Sequence, residues 1–262
     1  MGRRASSYTR FMNERVLVVD DDPTVAEVVV DYLRHAGLEP RHVPDGPAAL
    51  ALAEQWRPDL VVLDLMLPGM DGLEVCRRLR AAWADWAEPA PLPVIMLSAL
   101  GEENDRVLGL EAGADDYVTK PFSARELSLR VQAVLRRAAA PEPIASATPP
   151  PPLVSGPIEV DMAARRARRD GRELALTVRE FDLLAFFVAH PGQTYTRAEL
   201  MREVWGWSFG DQSTVTVHVR RVRDKVEDEP GAPMLLRTVR GIGYCWDTDP
   251  SWTAVPADIS NP

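Results

Sequence analysis

Short, unbroken apolar runs recur along the first half of the chain, each followed by a segment whose apolar positions fall three and four residues apart. The runs RVLVV (15–19), LVVL (60–63) and VIML (94–97) are bounded by polar and turn residues. This is the pattern of strands covered on both faces. EPRHV (39–43) and DYVT (116–119) are weaker strand candidates. Helical spacing fills the intervals at Thr24–Ala36, Gly46–Trp56, Gly72–Trp83, Asn104–Ala112 and Ala124–Arg137. Five strand–helix units in succession predict an α/β fold, a doubly wound (βα)5 parallel sheet with helices on both faces. In such sheets, function collects beyond the carboxyl ends of the strands.

The pattern stops at AAAPEPIASATPPPP (138–152), which is poor in large apolar residues and rich in proline. It predicts an extended linker that cannot bury enough surface to fold. A different order follows. IEVDMAARRARRDGRELALT (158–177) carries an Asp-Gly turn and reads as hairpins. Thr177-x-x-Glu180 and Thr196-x-x-Glu199 are capping boxes, each opening an apolar helical pattern. A third helix spans roughly 212–227, and LLRTVRGIGYCW (235–246) gives two short strands around a glycine turn. Sheet, three helices and hairpin make a C-terminal winged helix-turn-helix of α+β class. The expected layout is one domain over 14–137, the linker over 138–152, a second domain over 153–246 and a disordered tail over 247–262.

Composition narrows the class without changing this layout. Apolar residues make up 46% of the chain, enough for two cores. The two cysteines, Cys76 and Cys245, are far apart and lack metal-ligand spacing. No run approaches membrane-spanning length, and the opening MGRRASSYTRFMNER lacks the apolar stretch of a signal peptide; a cytoplasmic protein is expected. The net charge of −9 is uneven: residues 14–137 hold 13 Lys/Arg against 22 Asp/Glu, and residues 155–246 hold 14 against 13. Any nucleic-acid argument therefore rests on local clustering.

The strand ends carry the chemistry. Asp20, Asp21 and Asp22 follow the first strand, Asp64 the third, Ser98 the fourth, and Lys120-Pro121 the fifth. A parallel sheet brings these ends to one edge. Carboxylates gathered there repel one another unless a cation intervenes, and Mg²⁺, which takes a few oxygen ligands and accepts a phosphate oxygen, suits the set. Asp22-Pro23 also reads as a plain helix cap.

The stretches VLVVDDDP, DLVVLDLMLPGMDG, VIMLSA and GADDYVTKPF resemble the receiver domain of a response regulator. The resemblance implies that Asp64 accepts a phosphoryl group from a phosphohistidine on a sensor histidine kinase. It implies that Asp20 and Asp21 hold Mg²⁺ together with Asp64 and the backbone carbonyl of Met66. Ser98 then bonds one phosphoryl oxygen and Lys120 pairs with another, aimed by a cis peptide before Pro121. Tyr117 is the switch residue that swings inward when Ser98 moves. Arg106 against Glu126, and Asp115 and Asp116 against Arg130 and Arg137, are the expected pairs across a phosphorylation-driven homodimer.

In STVTVHVRRVRDKVE (213–227), Val215, Val219, Val222 and Val226 form one core-facing stripe. Val217 projects nearly opposite, beside Arg220 and Arg221, an arrangement suited to the major groove of DNA. The stretches LTVREFDLL, STVTVHVRRVRDKVE and RTVRGIGY resemble the winged-helix effector of the OmpR/PhoB family. That implies promoter DNA as a partner, with Thr214, Val217 and Arg221 as base readers. His218, Arg220, Arg223 and Arg240 become phosphate or minor-groove contacts, and GWSFGDQ (206–212) a contact with RNA polymerase. Ser213 departs from relatives, which often carry arginine there. The chain is thus expected to be a transcription factor and not an enzyme. A dehalogenase-type phosphatase needs a second acid two residues beyond Asp64, where Met66 stands.

Overall fold

The computed structural model describes residues 13–85, 91–98, 108–138, 151–207 and 212–247. Five parallel strands, β1 (Arg15–Val19), β2 (Glu39–Val43), β3 (Leu60–Asp64), β4 (Val94–Ser98) and β5 (Asp116–Thr119), make one sheet in the order β2-β1-β3-β4-β5. β3 and β4 are buried at every position, because helices cover both faces and leave no side for polar residues. The strand order reverses between β1 and β3, so the crevice expected of a doubly wound sheet opens there.

The helices obey the sequence's apolar spacing. α1 (Pro23–His35) buries Ala26, Val29, Val30 and Leu33, positions that share one helical face. Asp22 caps it, accepting the backbone N–H groups of Thr24 and Val25; those bonds hold its carboxyl below the ordinary range. α2 (Gly46–Trp56) and α3 (Gly72–Asp85) follow. α3 starts with its first residue against β3: a side chain on Gly72 would clash with the Asp64 carbonyl oxygen. A helical turn at 108–111 (α4) and α5 (Ala124–Ala138) complete the described part of this domain. The expected linker falls mostly in 139–150, and the expected tail in 248–262, outside the described residues.

The C-terminal domain opens with an antiparallel sheet, β6 (Leu153–Ser155), β7 (Ile158–Asp161), β8 (Arg166–Arg169) and β9 (Arg172–Glu173). α6 (Val178–Ala189), β10 (Thr194–Thr196), α7 (Arg197–Leu200) and α8 (Ser213–Val226) follow, and β11 (Leu236–Val239) and β12 (Gly243–Trp246) pair as the closing hairpin. Both capping boxes are formed. One detail differs from a plain helix: beyond α7, residues Met201–Trp205 wind with π spacing, ended by Gly206 at φ 79°. Val215, Val219, Val222 and Val226 enter the core with Phe181, Leu184 and Trp246.

Glu180, wholly buried, locks α6 to α8. Its carboxylate accepts Lys225 at 2.5 Å, lies 2.7 Å from Arg221 Nε, and accepts the Thr177 backbone N–H. Burial opposes its charge, but the two cations outweigh that and hold the carboxyl below its ordinary 4.5. Stability from a depressed carboxyl is complete above the unfolded value and lost as pH falls through the folded one. Glu180→Gln should therefore cost about 3 kcal/mol at neutral pH, the scale of a broken buried ion pair. Urea melts should show the gap full above pH 4.5 and narrowing below it.

Candidate functional site

Two regions concentrate polar chemistry: the carboxyl edge of the parallel sheet, and the seam between the domains. At the edge, Lys120 Nζ donates to Asp20 Oδ2 and Asp64 Oδ2, both at 2.8 Å. Asp20 and Asp64 are buried while Asp21 is exposed. Oxygens of all three acids lie within 4.8 Å of one another. Burial opposes the charge of Lys120, but its bonds to the two aspartates prevail and hold the ammonium above the ordinary lysine range. The Lys120–Pro121 peptide is cis.

The surrounding residues complete a pocket open on one side. Asp64 Oδ1 accepts the Met66 backbone N–H at 3.3 Å. Ser98 is buried at the end of β4, and its carbonyl accepts the Lys120 N–H at 2.6 Å. β4 and β5 pair in register, Ser98 opposite Thr119, which puts the serine and the lysine beside each other on the rim. Three oxygen donors of one charge, one of them facing solvent, fit a hard divalent cation that keeps waters. Asp20, Asp21 and Asp64 would hold Mg²⁺; Asp22 belongs to the cap of α1.

The seam departs from the sequence reading. Val217, read there as facing solvent, is buried in one apolar cluster with Leu110, Ala114 and Tyr117 of the N-terminal domain. Covering one valine in this way is worth about 2 kcal/mol. Arg221 Nη1 donates to the carbonyls of Leu110 and Ala114, at 2.8 and 3.1 Å, and Arg220 pairs with Glu111 at 2.6 Å. Thr214 and His218 are buried too. His218 Nδ1 donates to the Thr214 carbonyl, and its ring stands edge-on to Trp205. Burial, with the Arg221 charge beside it, pushes this imidazole down to about 4. Arg223 bonds the Leu236 carbonyl and Thr238 of the hairpin. Of the seven residues assigned to DNA, Arg240 and Arg220 are the exposed ones. Sequence spacing does not reveal which faces of α8 a second domain covers.

The described residues of the expected dimer pairs have partners within their own chain. Arg130 binds Asp116 at 3.1 Å and Glu126 at 2.7 Å within its own chain, and its guanidinium lies 3.9 Å over the Trp207 ring. Asp115 takes Arg80 at 2.7 Å, neither Arg130 nor Arg137, and accepts the Arg179 backbone N–H of α6 at 3.2 Å. Arg137 donates to the Trp205 carbonyl at 2.6 Å. Arg106 lies outside the described residues. Arginines outnumber carboxylates here and take whichever acceptor is nearest, including carbonyls of the other domain. Arg80, Arg179, Trp205 and Trp207 escaped sequence reasoning. Arg179 sits inside the capping box, where its polarity reads as a solvated helix start.

Comparisons with known proteins agree on both halves. Residues 16–132 match the response regulator receiver domain, and residues 171–246 match the C-terminal domain of transcriptional regulatory proteins. The chain is 45% identical over 235 residues to the DNA-binding response regulator MtrA of Mycolicibacterium smegmatis, covering 89% of this chain and 96% of the relative. It is 44% identical over 230 residues to the sensory transduction protein RegX3 of the same organism, covering 87% and 97%. A solved structure of a RitR mutant, at 24% identity and TM-score 0.64, covers 90% of this chain and 100% of its own and shares the fold.

The seam can be loosened from the N-terminal side alone. Glu111→Arg should set like charges against Arg220 and increase the radius of gyration in X-ray scattering. An exposed pair is worth under about 1 kcal/mol, so the shift should be partial, with open and closed forms both populated.

Proposed function

Because this chain belongs to the OmpR/PhoB-type response regulators, DNA-binding regulators of transcription rather than enzymes, we propose that Asp64 is its phospho-acceptor and that phosphorylation frees α8 for promoter DNA. The observation that carries this reading is the shared lysine, bonded equally to an acid from β1 and an acid from β3. A carboxylate poised beside a fixed cation is what phosphoryl transfer needs, since the reaction asks for positioning and charge neutralisation. An Asp64 oxygen bonds to phosphorus as the phosphorus–nitrogen bond of a kinase phosphohistidine breaks, and the imidazole leaves with a proton from solvent. Asp20, Asp21, Asp64 and the Met66 carbonyl would hold Mg²⁺, which would supply neutralising charge when bound. Lys120 and Ser98 receive the new oxygens.

The groove beside the pocket supports a helical kinase partner. It holds about 530 Å³ and is lined by Val25, Val28, Val29, Phe122 and Ala124, with Lys120 at its end. Exposed Val28 offers the apolar contact, and Asp64 stands within reach of a histidine on a docked helix.

The route outward runs through Tyr117. It packs against Gly109 and Met96 and shares the apolar cluster that seats Val217. A dianionic group on Asp64 draws Ser98 toward it, Tyr117 follows inward, and the seat of Val217 is lost. Thr214, Val217 and Arg221 are then free to read bases, with His218, Arg220, Arg223 and Arg240 on phosphate or in the minor groove. Trp207, released from Arg130, returns the 206–212 loop to RNA polymerase; residues 208–211 lie outside the described set. Asp115, Asp116, Glu126, Arg130 and Arg137 exchange their present partners for those of a second copy, with Arg106. Among the described residues no helix is long and apolar enough to cross a membrane.

Acetyl phosphate with Mg²⁺ should add the mass of one phosphoryl group to the intact protein and shift it from monomer to dimer in light scattering. Asp64→Ala should abolish both, and an adduct that persists in that variant refutes the assignment. On DNA, Arg221→Ala should flatten the preference between specific and scrambled duplexes, whereas Arg240→Ala should weaken both about equally. Binding titrations at fixed salt distinguish the two effects.

A further inference from the structure

Asp21 is the acid with the least support of its own. It is exposed, and among the described residues no group holds its carboxylate. Its direction is set by the two peptide planes that flank its Cα. The plane after it is pinned where the Asp22 N–H donates to Asp20 Oδ1 at 3.0 Å, with the Asp22 side chain capping α1. The plane before it carries the Asp20 carbonyl. That oxygen accepts from His42 Nε2 at 2.8 Å, across from the neighbouring strand β2. A carbonyl only accepts, so Nε2 carries the proton. β2 also holds the other backbone group of Asp20, whose N–H donates to the Val43 carbonyl at 3.3 Å. With these bonds in place, neither peptide beside Asp21 is free to rotate.

We infer that His42 is a positioning residue for the acidic pocket: its Nε2–H fixes the Asp20–Asp21 peptide and so aims Asp21 at the cation shared with Asp20 and Asp64. His42 touches neither cation nor phosphoryl group. It acts through the backbone of a ligand, as groups behind a first ring of metal ligands commonly do. The inference rests on the Mg²⁺ reading above, and nothing in the motif DDDP points to it, since His42 is 22 residues from Asp20. Its side chain is exposed and polar in a half-buried edge strand, where a histidine otherwise has no packing duty.

The test is Mg²⁺ titration of the full chain by calorimetry, with no phosphodonor present. His42→Ala should raise the Mg²⁺ dissociation constant about three- to tenfold, the scale of one lost hydrogen bond. Glutamine reaches as far as Nε2 and asparagine as far as Nδ1, so His42→Gln should restore affinity and His42→Asn should not. With acetyl phosphate, the Ala variant should reach the wild-type phosphorylation rate at saturating Mg²⁺, because the loss lies in affinity. Equal Mg²⁺ affinity in wild type and His42→Ala overturns the inference, as does rescue by asparagine equal to that by glutamine. If His42→Ala folds poorly, the Gln and Asn variants decide between them. Asp21→Ala separates the underlying reading: if wild type binds no Mg²⁺, or binds it unchanged without Asp21, the Mg²⁺ site itself is wrong.

Discussion

Two buried carboxylates from adjacent strands share a single ammonium group, and most of this molecule is arranged around that balance. Asp20 and Asp64 carry two negative charges in a region where burial penalises each of them; Lys120 neutralises one. The residue is a pocket with spare negative charge on its open side, where Asp21 stands. Such a site suits a hard divalent cation. Parallel pairing makes the arrangement possible, since it alone puts the ends of β1, β3, β4 and β5 on one edge.

The same sheet joins the pocket to the seam with the C-terminal domain. Tyr117 lies on β5, whose register sets it opposite Met96 of β4, two residues before Ser98. Its ring and Leu110 form the seat of Val217. Packed cores move between discrete arrangements instead of deforming smoothly, so on the reading proposed above a small shift at Ser98 removes that seat outright. The polar contacts of the seam are few and partly exposed: Arg220 to Glu111, Arg221 to two carbonyls, Arg137 to another, and Asp115 to the N-terminus of α6. They orient the domains, while the apolar contact of Val217 and the Trp207–Arg130 stack hold them. An interface of that kind opens without unfolding either domain.

In the C-terminal domain the balance of charge is equally local. Glu180 sits between Arg221 and Lys225, which makes Arg221 a structural partner of α6 as well as a candidate reader of bases. Its Nη1 faces the N-terminal domain and its Nε faces Glu180. The closed arrangement thus occupies both ends of one guanidinium, and opening frees Nη1 alone. A residue used twice in this way ties the seam between the domains to the stability of the helix that carries it.

Strand positions, the capping boxes and the residues gathered at the strand ends were legible in the chain, because each follows from local periodicity or from which residue types stand at strand ends. LVVLD at 60–64 and the Lys120-Pro121 pair needed no tertiary information to be placed on the same rim. The faces of α8 were legible only in part. Its valine stripe at 215, 219, 222 and 226 belongs to its own domain, but Val217 is covered by residues about a hundred positions away. Which acceptor each arginine takes was not legible at all: Arg80 and Arg130 selected among several acids and carbonyls of their own domain, and Arg137 took a carbonyl of the other. Periodicity records what a segment buries against its own fold. It carries no record of what a separate domain brings to it, and that choice belonged to the tertiary structure.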